Sequence, residues 1–288
     1  WTLESSFGKG IGAQGGVWEC PDLFELVVDG TGEKKWVLLC NLNPGGIFGG
    51  SATQYFVGDF DGKKFTADTD SDGNIPTKWL DFGKDHYATV SWSDAPDNRR
   101  TTIGWMSNWQ YAAEVPTMQF RSANTLPREI KAADGQIYAS STPSPELMAL
   151  RNRLVTKKDG FNIGTKPRQI NLPSANDGIC EILVNLSAGK ADSINLVLGN
   201  AKGEHVTLTY NAESKSLSFD RRESGITDFS QDFPAVTAAP TFDTDGKLSL
   251  RIFIDRSSIE VFEANGKFAM TNLVFPTIPY STLSISAE

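Results

Sequence analysis

A glutamate lies between an indole, a thiol and a proline in the stretch Gly15-Gly16-Val17-Trp18-Glu19-Cys20-Pro21-Asp22-Leu23-Phe24, directly ahead of the alternating run Phe24-Glu25-Leu26-Val27-Val28. Alternation that follows a pair of glycines is typical of a β-strand that leaves a turn. A carboxyl that packs against an aromatic ring loses solvation and can hold a proton near neutral pH, as a general acid must. The stretch therefore predicts a strand that begins with a candidate acid, Glu19. The alternative is a solvated glutamate at a strand edge.

Short alternating runs recur beyond this stretch, and helical periodicity is almost absent. Glycine and aspartate turns separate the runs, which predicts antiparallel strands that follow one another as a meander. Up to residue 140 the runs form two successive sets, residues 24–28, 35–40 and 54–60, then residues 86–92, 101–106, 118–123 and 136–140. Two successive sets of this kind fit two blades of a β-propeller, whose blades are four-stranded sheets.

The composition changes near residue 145. Ser141-Thr142-Pro143-Ser144-Pro145 is expected to stop the last strand, and residues 146–152 are expected to form a linker with a short helical turn. Alternating runs then resume, with turns every 8–12 residues, a pattern typical of a β-sandwich. They cover residues 181–186, 193–198, 205–210, 216–220, 247–255, 258–262 and 282–286, and a hairpin is expected at 263–267. We therefore expect a partial propeller over 1–145 and a sandwich over 153–288.

Composition excludes several classes of function. The chain has 288 residues and a net charge of −8 with no basic cluster, which argues against a nucleic-acid partner. No apolar run approaches the ~20 residues that a membrane-spanning helix needs. His86 and His205 are the only histidines, too few for a histidine triad or a metal cage, and we expect neither metal nor cofactor. Cys20, Cys40 and Cys180 do not make a disulfide framework; we expect Cys20 to be reduced and buried beside Glu19.

Further motifs follow Glu19 in a characteristic order. They are Ser51-Ala52-Thr53-Gln54-Tyr55-Phe56-Val57-Gly58, Asp81-Phe82-Gly83-Lys84-Asp85-His86-Tyr87-Ala88, Gly104-Trp105-Met106-Ser107-Asn108-Trp109, Leu126-Pro127-Arg128-Glu129 and Ile254-Asp255-Arg256-Ser257-Ser258-Ile259-Glu260-Val261-Phe262. In this order and at this spacing they resemble glycoside hydrolase family 32, the invertases, levanases and inulinases that cleave β-fructofuranosides. The last motif resembles the signature of that family's second domain, so the resemblance covers essentially the whole chain.

The resemblance implies a five-bladed β-propeller followed by a β-sandwich, of which this chain would hold the end of blade 3, blades 4 and 5 and the sandwich. It implies that Glu19 is the general acid and base of a retaining glycoside hydrolase. Family members place two further catalytic aspartates in Asn-Asp-Pro and Arg-Asp-Pro stretches, and neither tripeptide occurs here. We therefore expect the C-terminal part of a longer protein, inactive alone.

Several other residues are candidates for contact with substrate. By resemblance, Trp105 lies against the bound fructosyl unit, where an indole can stack on a sugar. Asp85 either faces the central pocket or is a solvated turn residue. Cys20, Asn108 and Gln54 are further candidate contacts.

Two groups of residues outside this set are expected to play mainly structural roles. Trp109 is expected to pack between blades, and His86 to be structural. Asp255, Arg256 and Glu260 are expected to form a charged cluster on the sandwich that either fixes register or binds a sugar.

Three functions remain open. The favoured one is part of a β-fructofuranosidase acting on fructan or sucrose. The alternatives are a non-catalytic fructan-binding or structural fragment and a fructosyltransferase. The expected partners are the substrate and either the missing N-terminal propeller segment or a second copy covering the open side, in a secreted, periplasmic or cell-surface protein.

Overall fold

The computed structural model describes residues 1–133, 135–140, 145–172, 175–242, 246–263 and 266–288. Nearly all of the regular structure in these ranges is β, as predicted. The helical elements there are one short helix, α1 (Pro145–Met148), and two 3₁₀ turns, Pro96–Asn98 and Ala175–Gly178. No helix in these ranges is long and apolar enough to cross a membrane. The predicted strand stop at 141–145 and the predicted hairpin at 263–267 fall partly outside the described residues.

Two antiparallel sheets occupy the first half of the chain. The first sheet, in the order β1-β2-β3-β4 with β5 also on β3, consists of β1 (Val17–Val27), β2 (Lys34–Asn43), β3 (Ala52–Phe60), β4 (Phe65–Ala67) and β5 (Lys78–Trp79). The second sheet, in the order β6-β7-β9-β10 with β8 also on β7, consists of β6 (Tyr87–Trp92), β7 (Thr101–Met106), β8 (Ala123–Asn124), β9 (Arg128–Ala133) and β10 (Gln136–Ser140). Both sheets are meanders, the arrangement expected of propeller blades.

The two sheets share one apolar core. Phe24, Val37 and Leu39 of the first sheet belong to the same buried cluster as Ile130 and Ile137 of the second. Removal of each such side chain from water contributes roughly 1.5–3 kcal/mol, so the contact fixes how the sheets lie against each other.

The strand predicted at residues 118–123 is wrong. Residues 107–122 form a loop, in which Met118 is 94% exposed, and the third strand of the second sheet is β9. The alternation of Met118, Phe120 and Ser122 resembles that of a strand, but the hydroxyl of Thr117 donates to the Phe120 carbonyl and closes a local turn instead.

The second half of the chain is a two-layer sandwich, as predicted. A six-stranded sheet in the order β11-β20-β13-β14-β15-β16 consists of β11 (Arg168–Asn171), β13 (Ser193–Gly199), β14 (His205–Asn211), β15 (Ser216–Asp220), β16 (Val236–Pro240) and β20 (Thr282–Ala287). A four-stranded sheet in the order β12-β17-β18-β19 consists of β12 (Cys180–Ser187), β17 (Lys247–Ile254), β18 (Ser258–Glu263) and β19 (Ala269–Leu273). Alternate side chains such as Leu196, Leu208 and Ile252 fill the core between the layers.

The segment that leads into β6 adds to the edge of the sandwich. Phe82 N–H donates to the Ala269 carbonyl at 2.8 Å and Asp85 N–H donates to the Thr271 carbonyl at 3.0 Å, which satisfies the free edge of β19. A Cβ at Gly83 would lie 2.0 Å from the Thr271 carbonyl oxygen, so only glycine permits this approach. The sandwich thus fixes the chain immediately before β6.

Three buried ion pairs, made by two arginines, strengthen this junction. Arg128 lies 2.7 Å from Asp81 and 2.9 Å from Glu260 of β18, and Arg221 lies 2.5 Å from Asp85. All five side chains are at most 4% exposed. Because loss of one partner would leave a buried charge uncompensated, these pairs tie the second sheet to the sandwich in one register.

Candidate active site

Glu19 lies near the start of β1, where the strand is irregular. Glu19 pairs with Asn41 of β2, but the register shifts between Glu19 and Asp22, and Cys20 adopts a φ of 47°. Pro21 within this bulge has no N–H to donate. A bulge bends its strand and redirects a side chain, and here the carboxyl of Glu19 reaches the adjacent sheet, where the hydroxyl of Tyr87 donates a hydrogen bond to its Oε2.

A buried asparagine holds the bulge. Asn41 Nδ2 donates to the Cys20 carbonyl at 3.4 Å and to the Thr89 carbonyl at 3.2 Å. Its Oδ1 accepts from Thr89 N–H at 2.9 Å and from the Thr53 hydroxyl at 2.6 Å. One side chain therefore connects β1, β3 and β6, and it fixes the backbone on which Glu19 is placed.

The strand that carries Tyr87 is also irregular. The register of β6 against β7 shifts between Tyr87 and Val90, and Ala88 has a φ of 50°. Ser91 N–H donates to Asp22 Oδ2 at 2.8 Å, which links the two bulged strands beyond the point where their acid and hydroxyl meet. Two bulges facing each other thus build the contact.

Tyr87 is suited to act as a donor. Burial, followed by the hydrogen bond to Glu19, raises the pKa of its hydroxyl well above the usual range. The phenol is therefore protonated at any pH at which the protein would function, and it donates to Glu19.

Two indoles extend the site away from Tyr87. The ring of Trp105, whose backbone pairs with Tyr87, lies 6.3 Å from the Tyr87 ring at 65°. The Trp105 Nε1–H donates to the hydroxyl of Ser122, which fixes the indole edge. The Trp109 ring lies 5.0 Å from the Trp105 ring at 42° and is 59% exposed. The prediction that Trp109 packs between blades is therefore wrong; the turn after β7 places it at the surface.

His86 lies beneath the site and is structural. The ring is buried, and its Nδ1 lies 3.3 Å from the Thr89 hydroxyl and 3.5 Å from that of Thr53. Burial, and then the charge of Arg128, lower the pKa of His86 to about 3, so the imidazole is neutral. Its Nε2 has no hydrogen-bond partner among the described residues, and a Cβ at Gly104 would lie only 2.9 Å from it.

Asp85 does not face a pocket. It is fully buried, and its oxygens accept hydrogen bonds from the Tyr111 hydroxyl at 2.7 Å, from Arg221 at 2.5 Å and from Leu273 N–H at 2.8 Å. With these partners it anchors the junction to the sandwich, and a sugar could not reach it. The expectation of a pocket-facing or solvated Asp85 is corrected accordingly.

Gln54 and Asn108 are also buried, where contacts with substrate were expected. Gln54 exchanges two hydrogen bonds with the backbone of Ala13, at 2.9 and 3.3 Å. Asn108 donates to the Gly49 carbonyl at 3.2 Å and to the Lys84 carbonyl at 2.9 Å. Both amides position loops around the site, and neither is exposed to a ligand.

The cysteines differ from expectation at one position. Cys20 is free but exposed, so the prediction that it is buried is wrong, because the bulge interrupts the alternation that would turn its side chain inward. Cys40 and Cys180 are free as well, and burial raises the pKa of their thiols to about 12 and about 11. These two thiols are therefore protonated at neutral pH, the form that is a poor nucleophile.

The charged cluster predicted on the sandwich does not form. Glu260 is buried, binds Arg128 and accepts a hydrogen bond from Leu126 N–H at 2.9 Å. Arg256 is exposed and pairs with Asp177 at 2.5 Å. Glu260 and Arg256 thus make contacts in different parts of the structure and do not form one cluster. The described residues also contain no group of three or more His, Cys, Asp or Glu side chains placed to hold a metal.

Sequence reasoning did not single out Tyr87, Asn41 or Ser122. A signal existed for Tyr87, which stands at the start of β6 as Glu19 stands near the start of β1, so that both occupy the same end of adjacent sheets. The contacts of Asn41 and Ser122 cross between strands or loops and leave no local pattern.

Comparison with known proteins agrees with this architecture. Residues 1–142 match the model for the glycosyl hydrolases family 32 N-terminal domain, and residues 146–288 match that for the family 32 C-terminal domain. A levanase of Bacillus subtilis (strain 168) is 42% identical over 287 residues, covering 96% of this chain and 41% of the levanase. An extracellular exo-inulinase of Aspergillus awamori is 36% identical, covering 96% of this chain and 53% of the relative.

The crystal structure of exo-inulinase from Aspergillus awamori superposes on the whole chain with a TM-score of 0.82 at 33% identity, and the chain covers 57% of it. The chain thus spans about half the length of these relatives. Because the two family models match residues 1–142 and 146–288, the chain belongs to glycoside hydrolase family 32.

Proposed function

We propose that the protein to which residues 1–288 belong hydrolyses β-fructofuranosidic bonds in fructans or sucrose with retention of configuration, and that Glu19 is its general acid and base. The hydrogen bond from Tyr87 to Glu19, made beside the Trp105 indole, is the observation that carries this proposal. The names of the relatives, levanase and exo-inulinase, support a fructan as the substrate.

The contact assigns separate roles to the two oxygens of Glu19. Tyr87 occupies Oε2, and Oε1 has no hydrogen-bond partner among the described residues. Oε1 is therefore the atom placed to hand its proton to the glycosidic oxygen as the leaving sugar departs. In the second half of the reaction the Glu19 carboxylate takes a proton from water, whose oxygen attacks the fructosyl carbon and releases the nucleophile.

A retaining reaction needs a second carboxylate about 5 Å from the acid. We assign this nucleophile, and a further aspartate that stabilises the transition state, to a segment outside residues 1–288. The absence of Asn-Asp-Pro and Arg-Asp-Pro from the sequence supports this assignment, as does the length of the relatives. The name of the exo-inulinase relative supports an extracellular location.

The proposal is tested by Glu19→Gln in the full-length protein. The amide keeps the shape of the side chain but delivers no proton, so kcat on a fructan should fall by about 10²–10⁴-fold while binding is retained. Glu25→Gln, on the same strand and paired with Lys34 at the surface, is the matched control and should leave kcat unchanged. Wild-type turnover by Glu19→Gln on a substrate with a poor leaving group would reject the assignment.

Two measurements on the wild-type protein separate the alternatives. Binding of fructan without release of fructose would indicate a binding protein. Transfer of fructose to sugar rather than to water at high sucrose concentration would indicate a fructosyltransferase.

A further inference from the structure

A cleft opens at one end of the sandwich, where β17 of one sheet ends and β20 of the other begins. Its volume is about 320 Å³, and its walls come from the turn after β17, from the 3₁₀ turn Ala175–Gly178 and from the segment 276–280. None of its lining residues belongs to the candidate active site. The cleft includes Asp255 and Arg256, the part of the motif at 254–262 for which the proposed function has no use.

The wall formed by residues 276–280 is held in place from the other side. Thr277 N–H donates to the Glu204 carboxylate at 2.8 Å, and the Asn200 amide donates to the Ile278 carbonyl at 2.8 Å. The hairpin between β13 and β14, which carries Asn200 and Glu204, therefore fixes the backbone of this wall. The cleft is preformed, as ligand pockets usually are.

The lining combines apolar surface with charges of both signs. Ile254 and Tyr280 are buried and Ile278 is half-buried. Asp177 and Arg256 are exposed and pair at 2.5 Å across the cleft. An ion pair as exposed as this one contributes little to folding stability. Apolar walls with a few polar groups at fixed positions are instead typical of a small-molecule site.

These groups favour a polar ligand without net charge. A guanidinium only donates hydrogen bonds and a carboxylate only accepts them, whereas neighbouring hydroxyls of a sugar do both. The C–H faces of a sugar ring can lie against the apolar wall. A volume of about 320 Å³ is near the lower end of the range for ligand pockets, roughly 300–1,000 Å³, so the cleft suits the end of a sugar chain better than its middle.

We propose that this cleft is a second, non-catalytic carbohydrate site, in which Arg256 and Asp177 bind the hydroxyls of a terminal fructosyl unit of a fructan. The choice of sugar rests on the proposed function. A fructan held at the sandwich remains on the enzyme between cleavages, which raises the effective concentration of chain ends around Glu19.

Titration calorimetry of the full-length protein with a β-linked trifructoside counts the sites without turnover when Glu19 is replaced by Gln. Arg256→Ala in this background should remove one site or weaken it by at least about tenfold, since charged hydrogen bonds to the ligand are lost. Arg222→Ala is the matched control, because Arg222 is an arginine of similar exposure that pairs with Asp220 at 2.6 Å outside the cleft. It should leave the number of sites and their affinities unchanged.

Kinetics with an intact Glu19 give a second measure. Arg256→Ala should raise KM for a long fructan by about threefold or more and leave kcat/KM for sucrose within about twofold of wild type. Unchanged binding and unchanged KM in Arg256→Ala would overturn the inference, as would equal losses on sucrose and fructan. The proposed function is judged separately, by whether the wild-type protein releases fructose at all.

Discussion

The hydroxyl of Tyr87, at the first position of β6, donates a hydrogen bond to Oε2 of Glu19 across the boundary between two sheets. Each partner belongs to a different sheet, and each follows or precedes a backbone irregularity that points it toward the other. The orientation of the acid therefore depends on how the two sheets pack, and not on β1 alone.

Replacement of this hydroxyl should impair proton delivery. In Tyr87→Phe the carboxyl of Glu19 loses its fixed orientation, so kcat/KM should fall by about tenfold on substrates with poor leaving groups. Substrates whose leaving group needs little protonation should be affected less. Steady-state kinetics on a pair of such substrates checks this; an equal loss on both would show that Tyr87 serves only packing.

Removal of the Trp105 indole should act on binding and turnover together. Trp105→Ala loses stacking area against the fructosyl unit in both the ground state and the transition state, and it removes the indole hydrogen bond to the Ser122 hydroxyl. We expect a higher KM and a lower kcat from initial-rate measurements. Unchanged values of both would show that the ring is not part of the sugar site.

A single methyl group at the junction with the sandwich should disturb the site. In Gly83→Ala the new Cβ would lie 2.0 Å from the Thr271 carbonyl oxygen, so the segment before Tyr87 must move away from β19. The thermal midpoint and kcat/KM should fall together. Gly164→Ala, with no atom within 4 Å of its Cβ, is the control and should retain both. Normal activity of Gly83→Ala would show that the position of Tyr87 does not depend on the junction with the sandwich.

The junction should also be sensitive to acid. Burial alone would raise the pKa of Asp81, but the charge of Arg128, with His86 and a hydrogen bond from Thr271, outweighs burial and holds the pKa at about 2. In the unfolded chain the pKa of an aspartate is near 3.9. The ionised Asp81 therefore stabilises the folded state fully above about pH 4, and this stabilisation is lost as pH falls toward 2. Over this interval the wild-type protein should lose about 2 kcal/mol more of its unfolding free energy than Asp81→Asn.

Urea unfolding between pH 5 and pH 2 measures this difference. At pH 7 Asp81→Asn should be destabilised by about 3–5 kcal/mol, because Arg128 loses a buried partner. Asp59→Asn, which removes an exposed partner of Lys35, should have a small effect at either pH. Parallel pH profiles for wild type and Asp81→Asn would contradict the prediction.

Expression of residues 1–288 alone should give no fructosidase activity. Two blades leave strand edges and apolar faces that propellers normally cover, and under the proposed function Glu19 would lack its nucleophile. We expect the open side to be ordered only against an N-terminal segment or a second copy. Fructose release and the mass in solution measure both points, and a monodisperse monomer that hydrolyses fructan would refute them.

Alternation predicted the strands whose two faces differ. It predicted β13, β14 and β15, where buried and half-buried residues alternate strictly. It did not predict β19, whose five residues are all buried because segment 81–85 covers its edge. A strand that is buried on both faces need not show alternation of apolar and polar residues in its sequence. Burial does not explain every error, since β18 is equally buried and was predicted, whereas β16 alternates and was not.

The candidate site shows the same limit. Glu19 became a candidate because its motif is local, and the aromatic character of Trp105 needed no partner for it to become a candidate; both assignments stay predictions. Asp85, Asn108 and Gln54 stand in the same motifs, yet they are buried with their polar atoms satisfied by distant groups. Which polar residue of a motif faces a ligand depends on partners far away in the chain, and a single sequence does not reveal them.

The strand addition between residues 81–85 and β19 has a consequence for protein engineering. An exchange of domains cut near residue 145 would separate the first two sheets from the sandwich. Such a cut would still disturb the candidate site, since the chain just before Tyr87 is paired with the edge of the sandwich. A chimaera that imports a foreign sandwich should work only if its equivalents of residues 81–87 and 269–273 are inherited from one parent.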